Sequence, residues 1–173
     1  MPIPPIEART TWIDAGSIRV GVEYRLLTDA VAAAEDLVEA SGDDRGVTTN
    51  LDDRGVSLHV CAEQDGESRE FLRFDCFDED PHYHYVSWRD KTNDMIHLDP
   101  IADGDPLAWA LERIRTRLPQ MLARAGATDL VARLDPDAID RSLPRIAETA
   151  YRVRYDHDDA SILRDATVGH PKG

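Results

Sequence analysis

From Thr10 to Asp99 the chain returns repeatedly to a period of two, and after Asp105 it changes to a period of three and four. Side chains alternate between faces along a strand and come back to one face every three or four residues along a helix. This change of period therefore constrains the fold more than any other feature. Ile18, Val20, Val22, Tyr24 and Leu26 share one face of an expected strand, with Arg19, Glu23 and Arg25 on the other. With Thr10–Ile13 and a turn at Asp14-Ala15-Gly16, that strand makes a first hairpin. Val56, Leu58 and Val60 alternate with Ser57, His59 and Cys61, and Leu72, Phe74 and Cys76 alternate with Phe71, Arg73, Asp75 and Phe77. His82–Trp88 and Met95–Asp99 complete an antiparallel meander.

The register of this meander follows from which faces must be apolar. Matching Val60 to Leu72 requires an odd number of residues, three or five, in the loop around Gln64-Asp65-Gly66-Glu67. Cys61 and Cys76 then point to opposite faces and form no disulfide. For the next hairpin a four-residue loop, Asp90–Asn93, is expected because Asn93 tolerates the left-handed conformation. A loop of two or four residues sets His84 opposite Asp99 and Val86 opposite His97, whereas three or five residues would separate these groups.

Helices are expected elsewhere. Thr28 can cap one that ends near Gly42, with Val31, Ala34, Leu37 and Val38 in a stripe. The pentapeptide DDRGV occurs at Asp43–Val47 and again at Asp52–Val56, read as two solvated turns. Asp105-Pro106 is a strong helix start, followed by Leu107, Leu111, Ile114, Leu118 and Met121 on one face. Pro119 kinks this helix or begins a second, and Gly126 ends it. Asp135-Pro136 starts a short helix, and Ser142 with Pro144 opens another reaching Arg154. The expected architecture is α+β: an antiparallel β-meander of about five or six strands, helices packed mainly on one face, and a helical C-terminal half. Residues 1–9 read as an extended arm, 10–155 as one domain and 156–173 as a mobile tail.

Composition excludes several partners. Acidic residues number 34 against 20 basic, a net charge of −14, which repels nucleic-acid phosphates and anionic lipid. No apolar run approaches the roughly 20 residues of a membrane-spanning helix, and the N-terminus carries prolines where a signal peptide has its apolar segment. A cytoplasmic protein that binds neither nucleic acid nor membrane is expected.

Residues 71–99 carry the only cluster with the look of a site. His82 and His84 are two apart, which puts both imidazoles on one strand face about 7 Å apart. His97 and Asp99 repeat that spacing on the adjacent strand, so His82, His84, His97 and Asp99 are the candidate ligands of a divalent metal cofactor. Around them Arg73 and Asp75 supply a polar floor and Phe77, Tyr83, Tyr85 and Trp88 the walls of a pocket for a small-molecule ligand. His59 is expected at the surface near Arg73. His82 and His84 resemble in their spacing the histidine pair of cupins. The likeness stops there, because no glutamate follows at the spacing that motif needs and a helical C-terminal half is foreign to a minimal cupin. An alternative function is an accessory subunit whose aromatic sheet face docks a protein partner, or a second copy in a homodimer.

Overall fold

The computed structural model describes residues 4–28 and 52–168. Among them a 3₁₀ turn, Glu7–Arg9, precedes six strands: β1 (Thr11–Ala15), β2 (Ile18–Thr28), β3 (Asp52–Gln64), β4 (Glu67–Phe77), β5 (His82–Ser87) and β6 (Thr92–His97). They form one antiparallel sheet in chain order, each strand paired with the next. Five helices follow: α1 (Pro100–Asp103), α2 (Pro106–Arg124), α3 (Thr128–Val131), α4 (Pro136–Tyr155) and α5 (Asp159–Val168). The molecule is an α+β protein, and the helices among its described residues lie in the C-terminal half. The helix expected from Thr28 to Gly42 and the first DDRGV copy lie outside the described residues. The second copy, Asp52–Val56, is the start of β3 and not a turn.

One face of the sheet is apolar. Val20, Val22, Val56, Leu58, Val60, Leu72 and Phe74 pack there against Leu107, Ala110, Ile114, Leu118 and Leu122 of α2 and Ile139, Ile146 and Ala150 of α4. Asp105 caps α2, its side chain accepting from the Ala108 N–H, and Asp135 caps α4 in the same way through Ala138. Both helices run through their internal prolines: at Pro119 the helix continues, one of the two outcomes expected there, and at Pro144 one helix stands where two were expected. Proline in a helix interior costs about 3 kcal/mol. Core side chains flank each proline, and each contributes roughly 1.5–3 kcal/mol on burial, which outweighs that cost. Ser142 caps nothing; its hydroxyl donates to the Ile139 carbonyl. The expected tail carries α5, tied back by Asp159 to Arg54 at 2.8 Å and by His157 stacked on Tyr24.

Val60 does stand opposite Leu72, by a different device from the odd loop. The loop has two residues, Asp65 and Gly66, with φ of 56° and 78°, the signature of a type I′ hairpin. A β-bulge between the Val60 and Cys61 pairings then absorbs one extra residue, Phe71, because Cys61 pairs with Glu70 and Val60 with Leu72. Phe71 consequently joins the core instead of sharing a face with Arg73 and Asp75. Glu70 and Arg73, three apart, come to the same face. Cys61 and Cys76 are both buried and free.

The β5–β6 loop has four residues, as expected, but they are Trp88–Lys91, with Ser87 opposite Thr92. Lys91, at φ 55°, takes the left-handed position. The hydrogen bonds between Ser87 and Asp90 favour this turn, and the Trp88 indole N–H is fastened to the Glu70 carbonyl. The pairing is therefore displaced by two residues on each strand: His97 lies opposite His82, and Met95 opposite His84.

Candidate metal centre on the polar sheet face

Because opposed residues share a face, the pairings draw two polar lines across the sheet. Glu23, Ser57, Asp75, His82 and His97 follow one another from β2 to β6. Beside that line run Gly21, His59, Arg73, His84 and Met95. Glu23, Ser57, His59, Glu70, Arg73, Asp75 and His84 are all buried, so this is a second interior made of charges.

Asp75 stands at its centre. One carboxylate oxygen accepts the Ser57 hydroxyl. The other, Oδ2, lies 3.3 Å from His82 Nε2 and 3.2 Å from His84 Nε2. The far nitrogens of both rings are also engaged: His82 Nδ1 is 2.7 Å from the Asp80 carbonyl oxygen and His84 Nδ1 is 3.0 Å from Asn93 Oδ1. Both partners are acceptors, so each Nδ1 donates its proton outward and each Nε2 is left facing the Asp75 carboxylate. Asp75, His82 and His84 offer three ligand atoms within 4.8 Å of one another, and so do Asp80, His82 and His97 at the rim. His97 Nδ1 is 2.7 Å from Asp80 Oδ1, and both groups are exposed.

Burial would raise the pKa of Asp75, but His82 and His84, with the charges of Arg73 and Arg25, outweigh it and hold the carboxyl well below its ordinary range. Burial likewise disfavours protonated His82, and the Asp75 carboxylate more than offsets this, raising its pKa. Beside this group His59 is fully buried between two carboxylates, with Nδ1 2.6 Å from Glu70 and Nε2 3.1 Å from Glu23. Desolvation opposes its charge, yet bonds to Glu23 and Glu70 prevail and its pKa is raised. Glu70 also receives a two-pronged bond from Arg73, Nε at 3.0 Å and Nη2 at 2.7 Å.

The structure thus brings Arg73, Asp75, His82 and His84 together, with Phe77 edge-on to His82 at a centroid distance of 5.6 Å. His97 stands opposite His82 at the rim, and the others of the expected set are separated from the cluster. Asp99 caps α1 through the Ile101 and Ala102 N–H groups and stands outside the cluster, because the register shift ends β6 at His97. Tyr83 and Tyr85 alternate with the histidines and therefore lie on the helix side, where Tyr83 meets Phe74 and Trp109, and Arg124 covers Tyr85. Trp88 also packs on that core. His59, expected at the surface, has no exposure at all. Glu23, His59 and Glu70 are the participants that sequence reasoning missed. Their signal was present as opposite charges at matching positions on the central strands.

A family model described as a domain of unknown function, DUF7700, matches residues 12–150. No curated protein and no solved structure matches the chain.

Proposed function

The chain belongs to the DUF7700 family, and from its own geometry we propose that it binds a divalent metal ion of the zinc type through Asp75, His82 and His84. The observation that carries this reading is the convergence of two imidazole Nε2 atoms on one carboxylate oxygen, at 3.3 and 3.2 Å, while both Nδ1 atoms are held by acceptors. At that spacing a metal ion among the three atoms, or a proton on Nε2, offsets the charge of the carboxylate. Metal–ligand bonds of 2.0–2.1 Å in tetrahedral array put ligand atoms about 3.3–3.4 Å apart. The Asp80 carbonyl and Asn93 act as the outer partners that orient ligating histidines, and Ser57 does the same for the carboxylate. Three protein ligands leave coordination open to a small molecule or water, the pattern of reactive sites and not of closed structural ones.

A proton on either Nε2 also answers the carboxylate, so metal and protons compete for this site. Docking of a partner or a second copy through Tyr83 and Tyr85 has less support, because Arg124 and Trp109 already pack on those rings.

The test is metal analysis of untagged protein. Wild-type chain should hold or take up one zinc ion, and His82→Ala/His84→Ala should hold none. At a hundredfold excess of free metal over Kd the gain in stability is about 2.7 kcal/mol, visible as a rise in Tm. Folded wild-type protein that takes up no metal, with a Tm indifferent to both zinc and chelator, would refute the reading.

A further inference from the structure

We infer that the same face contains a subsite for an oxyanion, the carboxylate or phosphate group of a small ligand, at Arg25 beside Asp75; the inference rests on the metal reading above. Arg25 lies opposite Gly55 on β3, and Gly55 lies opposite Phe77 on β4. Glycine places no side chain between Arg25 and Phe77, in the row next to Ser57 and Asp75.

Arg25 is only 7% exposed, yet among the described residues its one ion-pair contact is Nε to Glu23 Oε2 at 3.9 Å. That distance is too long for a hydrogen bond, and the same oxygen already faces His59. Arg73, two strands away on β4, shows the contrast, with its fork closed on Glu70. Among the described residues no hydrogen bond closes the Arg25 fork, and its planar donors fit the two oxygens of a carboxylate or phosphate. Glu23 Oε1 is a second unmatched atom: it is buried and has no hydrogen-bond partner. A ligand with a hydroxyl or amino group near its oxyanion would satisfy both.

The charge balance of the face points the same way. His59 counts as a cation, because both of its nitrogens face carboxylates. Arg25, His59 and Arg73 are then set against Glu23, Asp53, Glu70 and Asp75 among the buried groups. A divalent ion on neutral His82 and His84 turns a deficit of one positive charge into an excess of one. A monoanionic group restores neutrality.

The experiment uses the full chain loaded with Co(II), whose visible absorption reports on its ligands. Inorganic phosphate and acetate are titrated separately against chloride at matched ionic strength. One of them should change the wild-type spectrum saturably, and which one does so distinguishes phosphate from carboxylate. Arg25→Met should weaken that anion about tenfold or more, a loss of about 1.4 kcal/mol, while leaving Co(II) uptake intact. Arg25→Lys, which keeps the charge without the fork, serves if the first variant fails to fold and should also weaken it. Co(II) uptake with a spectrum blind to both anions, or an anion response unchanged in either Arg25 variant, overturns the subsite and leaves the metal reading standing. Absence of Co(II) uptake by folded wild-type protein overturns both.

Discussion

His82 lies directly opposite Asp75 across β4 and β5, with its Nε2 3.3 Å from the carboxylate oxygen that His84 approaches to 3.2 Å. His84, two residues along the same strand, reaches Asp75 diagonally, so one buried acid serves two rings. Such an arrangement depends on the outer contacts that orient each ring.

Asn93 is the outer contact most easily tested, because it is exposed and its amide oxygen holds His84 Nδ1 at 3.0 Å. Asn93→Ala should lower metal affinity by about 10- to 100-fold. The stability of the metal-free protein should change by less than about 0.5 kcal/mol, as for other surface substitutions. Competition with a chromophoric chelator measures the first quantity and urea unfolding the second. Unchanged affinity would remove Asn93 from the site.

His59 predicts the pH dependence of the metal-free protein. Its folded pKa is raised, so the stability it contributes is complete below the unfolded value of about 6.5 and is lost as pH rises through the folded pKa. Glu70 has the opposite sign. Burial would raise its pKa, but His59 and Arg73 lower it, so its contribution is present above about 4.5 and is lost as pH falls through the folded value. Tm in chelator should therefore peak in the weakly acidic range and decline towards alkaline pH. His59→Gln should flatten the alkaline limb. A limb of the same slope in that variant would mean that another group sets it.

Two glycines on this face should differ in their tolerance of alanine. A methyl group at Gly55 would lie 2.3 Å from the Cys76 carbonyl oxygen and 2.7 Å from Phe77 Cα, both backbone atoms. At Gly21 it would meet the Trp12 ring at 2.7 Å and the Thr10 methyl at 2.8 Å, side chains that can yield. Gly55→Ala should cost about 3 kcal/mol, the upper end for overpacking, and Gly21→Ala about 1. Equal urea midpoints for the two variants would contradict this difference.

The sequence alone determined the class of fold, because period is a local property. Alternation over residues 18–26, 56–62 and 70–77 requires strands, and the caps at Asp105 and Asp135 require helix starts. It also determined that Arg73, Asp75, His82 and His84 could share a face. Register is not local. The bulge at Phe71 and the four-residue displacement of β6 along β5 arise from competition among turn conformations and from packing with helices far along the chain.

That competition decided that His97 meets Asp80, that Asp99 caps a helix, and that Tyr83 and Tyr85 serve the core. It also set His59 between Glu23 and Glu70, residues 36 and 11 positions away from it. Local propensity could place each of these side chains on a strand. Only the folding of five strands into one sheet could place the charges of β2, β3 and β4 against the histidines of β5 and β6, because a sheet line joins residues that no sequence window contains.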